Sequence, residues 1–251
     1  MACSKFRRKA HFSFGSGVVV HCAKTGGQRV IERFSEVRYL SACYQKTDLK
    51  TRLHIYGRWA LCPFHRLLEH LPQEGNHLDV GCGHGLLLAL MRRRSSTQIL
   101  KGIDVSTQKI EQAKRAAPLD ISLEASDIRD LKPASFDSVS VIDVLYLLST
   151  PQKLDFLKRC YSVLREGGKL VIKEVTKGAG WKSLFTFLQE FVSVRVIHIT
   201  QGEEILLCSI QETIALIREA GFLTPDVKRV DRGYPYSHTL FVSRKAPITR
   251  F

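Results

Sequence analysis

Apolar positions along this 251-residue chain cluster in short runs of strand length, separated by stretches with helical spacing. The strand-like runs lie near 76–80, 98–104, 120–125, 136–142 and 169–175, and helical patterns near 84–94, 106–117 and 152–165 alternate with them. This rhythm predicts βαβ units wound on a parallel sheet. Helix ends carry their own signals. Ser106 is placed to cap the second helix, Ser149-Thr150-Pro151 gives the third a capping hydroxyl and a first-turn proline, and Gly167-Gly168 is placed to stop it. Beyond Gly221 two more strand-like runs, 226–230 and 238–243, are joined by Arg232-Gly233-Tyr234-Pro235-Tyr236. Two amphipathic stretches lie outside this alternation. One begins at Leu49 and leads into the first strand. The other repeats Trp181, Leu184, Phe185, Leu188, Phe191 and Val192 at helical spacing, with Lys182, Ser183, Gln189 and Glu190 opposite, and predicts a helical insertion at about 178–208.

The most informative stretch is Leu-Asp-Val-Gly-Cys-Gly-His-Gly-Leu at 78–86. Asp79 ends an apolar strand, glycines follow at 81, 83 and 85, and a helix-like run starts at Leu86. Glycines let the backbone turn tightly and approach a ligand, and the helix N-terminus offers free amide hydrogens, which suits an adenosine-type ligand. A dinucleotide fingerprint would place a third glycine at the sixth position, where this chain has Leu86. A carboxylate two residues before the first glycine repels a pyrophosphate but pairs with an ammonium, which points to a cationic amino-acid ligand. Further along, Asp104 closes a second apolar run 23 positions after Gly81, a distance at which an acid can accept both ribose hydroxyls. A third run ends in Ala125-Ser126-Asp127-Ile128. The fourth, Phe136 to Ile142, continues through Asp143 to Tyr146, and a double-glycine turn precedes the fifth.

In this order, over about residues 78–173, these stretches resemble the class I S-adenosylmethionine-dependent methyltransferases. The resemblance implies an α/β, doubly wound, Rossmann-like seven-stranded sheet, mostly parallel, with a C-terminal antiparallel hairpin. It implies S-adenosylmethionine as cofactor, its methionine portion held by Asp79, Gly81, Gly83 and Gly85 and its ribose by Asp104. Asp127 would accept the adenine amine, with Ile128 against the ring. Asp143 is placed either to hold the cofactor or, with Tyr146, Glu174 and His198, on the acceptor side, and no catalytic residue is assigned. Tyr56, Arg58 and Trp59 are pocket candidates because the segment before the first strand often folds over the cofactor in this class. Trp181 is a further candidate, since an insertion after the fifth strand commonly covers the acceptor pocket; a helix docked on the domain body or a dimer face are the other readings of that segment. Methyl transfer from a sulfonium is an in-line displacement to which alignment contributes most, and a base matters only for a protonated acceptor. The fourth strand ends without Asn/Asp-Pro-Pro-Tyr or Pro-Cys, which argues against amino methylation of nucleic-acid bases by that route and against cysteine-nucleophile cytosine enzymes.

Charge is unevenly placed. Of the formal net +14, residues 1–60 carry +9, with no acid before Glu32. Residues 1–48 are therefore expected to form a basic, poorly structured extension before a methyltransferase domain at 49–251. An arm for nucleic acid or anionic membrane and a transit peptide are the alternatives. Seven dispersed cysteines without a Cys-x-x-Cys pair suit a reducing, cytoplasmic compartment and provide neither a disulfide framework nor a zinc site; no metal is expected. Cys82 reads as a small packing residue. No apolar run reaches the roughly 20 residues that span a bilayer. The expected activity is methyl transfer to a small or lipid-like acceptor by a monomer or homodimer. The alternatives are an RNA or protein methyltransferase using residues 1–60, or a non-catalytic S-adenosylmethionine-binding protein.

Overall fold

In the computed structural model, which describes residues 26–116, 118, 120–176 and 206–247, the strand-like runs become one mixed sheet. Its strands are β1 (Asn76–Val80), β2 (Ile99–Asp104), β3 (Ile121–Ala125), β4 (Phe136–Ile142), β5 (Leu164–Val175), β6 (Asp226–Arg229) and β7 (His238–Arg244). Their spatial order is β3-β2-β1-β4-β5-β7-β6. The first five are parallel; β7 runs antiparallel to β5, and β6 to β7. The expected seven-stranded sheet and its C-terminal hairpin are both present. Because the chain winds from β1 out to β3 and then returns to add β4 on the other side, the β1/β4 junction is the switch point where such sheets leave a crevice at their carboxyl ends.

The helices are α1 (Gly26–Tyr44), α2 (Leu49–Leu61), α3 (Phe64–Leu68), α4 (Leu86–Arg94), α5 (Thr107–Ala116), α6 (Thr150–Val163) and α7 (Ile210–Glu219). One core lies between the sheet and α1, α4 and α5, with Leu40, Tyr44, Leu87, Leu88, Leu90 and Ile110 in it. The second packs α6 and α7 on the opposite face through Leu157, Cys160, Leu216 and Ile217. Capping follows the chemistry read from the sequence. Ser149 and Gln152 form a reciprocal capping box ahead of Pro151, and the Lys109 amide donates to Ser106 Oγ at 3.4 Å.

Two expectations are corrected. The extension expected to be poorly structured through residue 48 is helical from Gly26, because Glu36, Leu40 and Tyr44 recur at a spacing of four and bury one face of α1. Trp59 Nε1 donates to Glu36 Oε2 at 3.1 Å, and the Arg33 guanidinium lies 4.8 Å from the Trp59 ring centre, so this helix is fastened to α2. The third βαβ helix ends at Val163 rather than at the glycines. Gly167, at φ +69°, instead lies inside β5, where pairing shifts from Phe136–Leu164 to Ser138–Lys169. Residues 1–25 and the expected insertion up to residue 205, with Trp181 and His198, lie outside the described residues.

Candidate functional site

Four strands deliver an acidic residue at or just beyond their carboxyl ends: Asp79, Asp104, Asp127 and Asp143. All four line one cavity of about 490 Å³ at the switch point. That is an ordinary size for a small-molecule or cofactor site.

The loop after β1 is shaped by its glycines and by Asp104. Gly81 and Cys82 both donate their amides to the Ile103 carbonyl, at 2.8 and 2.9 Å. Gly81 sits at φ +72°, and a Cβ there would fall 2.5 Å from a Val144 methyl, so only glycine fits. Gly83 is also left-handed but faces open space, leaving its backbone accessible to a ligand. Asp104 Oδ2 accepts from the Gly83 amide and Oδ1 from the Ser106 amide, each at 2.9 Å, while its own carbonyl accepts from Ser126 at 3.2 Å. One residue thus ties together the loops after β1, β2 and β3. From α1, the Tyr44 hydroxyl donates to the His84 carbonyl at 2.8 Å and steadies the same loop.

Asp79 is buried at the floor. Desolvation pushes its carboxyl up to about 7, against a 2.5 Å hydrogen bond donated by Ser140. Ile128 is buried beside the cavity. Asp127 caps the short 3-10 turn Ile128–Asp130 and accepts a bidentate contact from Arg129, at 3.0 and 2.8 Å. That side-chain hydrogen bond holds its carboxyl below the usual range.

At the opposite end, Asp143 has φ +58°, an uncommon backbone for a residue other than glycine. Its Oδ1 accepts from Lys173 Nζ at 2.6 Å and its Oδ2 from Arg58 Nη1 at 2.8 Å. Burial works against the anion, but Lys173 and Arg58 outweigh it and hold the carboxyl below its ordinary range. Lys173 is buried, whereas the Arg58 side chain is 37% exposed and lines the cavity, as does Tyr146. Asp143 therefore aims a guanidinium into the pocket. Apolar residues, Phe64, Val144, Leu147, Leu148 and Phe156 among them, also line the cavity.

Four sequence candidates are placed elsewhere. Gly85 starts α4 at φ +74° and packs toward Leu123 and Ala113 instead of lining the cavity. Tyr56 and Trp59 pack against the first core. Glu174 is buried and does not line the cavity. Its Oε1 accepts from the Val144 and Leu145 amides at 3.0 and 2.9 Å, and burial with the nearby Asp143 charge raises its carboxyl. It holds the turn after β4 rather than facing an acceptor. Glu174→Gln keeps an acceptor for that turn and is expected to change stability by less than about 1 kcal/mol near neutral pH. Glu174→Ala orphans two amides and should cost about 2 kcal/mol in urea unfolding.

Sequence reasoning passed over His54, His84 and Lys109, which also line the cavity. The two imidazole rings lie 5.2 Å apart, and His84 Nε2 pairs with Gln112 Oε1 at 2.9 Å. Burial, then the neighbouring His84, drive His54 down to about 4. One signal was available for His54: it lies four residues before Arg58, on the same helical face. Cys82 packs against the first core, and burial raises its thiol. Among the described residues no group of His, Cys, Asp or Glu is placed to hold a metal ion.

Residues 78–168 match the family model described as a methyltransferase domain. A ubiquinone biosynthesis O-methyltransferase of Coxiella burnetii is 32% identical over 115 residues, which are 43% of this chain and 47% of that protein. A carboxy-S-adenosyl-L-methionine synthase of Campylobacter curvus is 27% identical over 111 residues, again 43% and 47% of the two chains. The chain thus spans about half the length of these curated relatives. Human N-acetylserotonin methyltransferase, solved in complex with SAM, superposes with a TM-score of 0.59 at 16% identity, over 74% of this chain and 52% of that one.

Proposed function

We propose that the chain is a class I S-adenosylmethionine-dependent methyltransferase, as its methyltransferase-domain match and its methyltransferase relatives support, and that it binds S-adenosylmethionine in the switch-point cavity and transfers a methyl group to a small or lipid-like acceptor. The observation that carries this reading is the donor set gathered there. Asp79 suits an ammonium, Arg58 a carboxylate, Asp104 a ribose diol, and Asp127 with Ile128 an adenine, all around one cavity floored by open glycine backbone. These groups fit each part of the cofactor in turn.

When bound, S-adenosylmethionine supplies an electrophilic sulfonium methyl. The chain's own contribution is alignment and exclusion of water. Arg58, oriented by Asp143, and Asp79 would hold the two charged ends of the methionine portion. Phe64, Leu147, Leu148 and Phe156 give the cavity an apolar share of its lining, in keeping with a small or lipid-like acceptor and with the ubiquinone-biosynthesis name of a relative. Tyr146 also lines the cavity and would orient a hydroxyl acceptor. The five described free cysteines suit a cytoplasmic location, and no described helix is long and apolar enough to cross a membrane.

Calorimetric titration with S-adenosylmethionine, with NAD in parallel, tests the cofactor. Binding of the first alone is expected; absence of S-adenosylmethionine binding would sink the reading. For the acceptor, activity on apolar phenols or lipids should be nearly indifferent to salt. A steep salt dependence would point instead to phosphate contacts and a nucleic-acid acceptor.

A further inference from the structure

A parallel sheet covered by helices on both faces is expected to bury apolar side chains on both. The two central strands depart from this on one face. His77 and Asp79 alternate with Leu78 and Val80 along β1, Ser138 and Ser140 alternate with Val139 and Val141 along β4, and the register sets His77 beside Ser138 and Asp79 beside Ser140. Leu78, Val80, Val139 and Val141 all belong to the second core. The four polar residues point the other way, each at most 2% exposed. They are joined in a line: His77 Nδ1 to Ser138 Oγ at 2.7 Å, His77 Nε2 to Ser140 Oγ at 3.0 Å, and Ser140 Oγ to Asp79 Oδ1 at 2.5 Å. Of the four, Asp79 alone lines the cavity.

Donor directions follow from the chemistry of each group. In the anionic form that pairs with an ammonium, Asp79 only accepts, so Ser140 gives it its hydroxyl hydrogen. Its oxygen then receives the Nε2–H of His77, and Nδ1 is left to accept from the Ser138 hydroxyl. Burial keeps the imidazole neutral, driving His77 down to about 3, as one donor and one acceptor nitrogen require. The pairing of β1 with β4 is already supplied by backbone hydrogen bonds, and burying four polar side chains costs free energy that aliphatic residues would not. What the line achieves is one carboxylate held in one orientation, with every donor hydrogen pointing toward the cavity.

Resting on the cofactor reading above, we propose that Ser138, His77 and Ser140 form a positioning relay that fixes Asp79 to receive the α-ammonium of S-adenosylmethionine. Asp79 meets the ligand; His77 and Ser140 act through it. The Ser140 hydrogen bond favours the anionic form of Asp79 in a place where burial alone disfavours it.

Calorimetry on the full chain with two probes tests the relay. S-adenosylhomocysteine carries the amino-acid end, and 5′-methylthioadenosine lacks it. Ser140→Ala and His77→Leu are expected to weaken S-adenosylhomocysteine binding about tenfold while leaving methylthioadenosine binding within about twofold. His77→Gln, which can still donate to Ser140, should recover most of the loss. Ser140→Ala removes one oxygen and carries the test if His77→Leu does not fold. Equal loss for the two probes, or no loss for S-adenosylhomocysteine, overturns the relay. If the unsubstituted chain binds neither probe, the cofactor reading fails first and the relay with it.

Discussion

Asp104→Ala is expected to reduce S-adenosylmethionine affinity at least about 100-fold, close to 2.7 kcal/mol. Two losses combine. The ribose loses its acceptor, and the amides of Gly83 and Ser106 lose theirs, so the glycine loop and the turn into α5 are released together. Hydrogen bonds to a charged group contribute about 1.5–3 kcal/mol each, so the loop term alone is large. Asp104→Asn keeps one carbonyl acceptor and should lose only about tenfold. Isothermal titration measures both variants. Unchanged affinity in the alanine variant would remove Asp104 from the cofactor site.

The largest stability effect is expected at Asp143. Replacing it by Ala leaves Lys173 Nζ buried with no carboxylate and frees Arg58 from its anchor. Breaking one side of a buried pair typically costs about 3–5 kcal/mol, because a charge remains in a poor solvent for charge. Denaturant unfolding should show that loss, and Lys173→Met in the Asp143→Ala background should restore much of it; additive losses would refute the pairing argument. Acid dependence gives a second check. Lys173 and Arg58 depress the folded carboxyl below its ordinary value of 3.8, so the anion's contribution is present above that value and is lost as pH falls through the lower, folded one. The native chain should therefore destabilise below about pH 4 through this group, and the alanine variant should lack that component.

Arg58 was readable as a pocket candidate, but its function was not. Nothing in Leu-His-Ile-Tyr-Gly-Arg-Trp distinguishes the residue that lines the cavity from Tyr56 and Trp59, which pack against the core. The difference comes from the rotation of α2, which only packing against α1 and the sheet sets. Glu174 was misread for a related reason. Strand alternation places it, yet the two amides it serves belong to a turn 29 and 30 residues earlier. For α1, composition misled, since the positive excess of residues 1–60 taken together drew attention from a buried face that repeats every four residues.

Strands β1 to β4, the caps at Ser106 and Ser149, the glycine loop and the acids closing successive strands were all legible along the chain. Each is a local matter of side-chain period, backbone freedom or a hydrogen bond a few residues away. The partnerships that set the site's chemistry were not. Arg58 meets Asp143 across 85 residues, Asp143 meets Lys173 across 30, and His77 meets Ser138 across 61. No periodicity encodes such pairs, because strand order and register bring them within hydrogen-bonding distance. A one-residue slip between β1 and β4 would turn Ser138 and Ser140 to the other face and leave His77 and Asp79 buried without them.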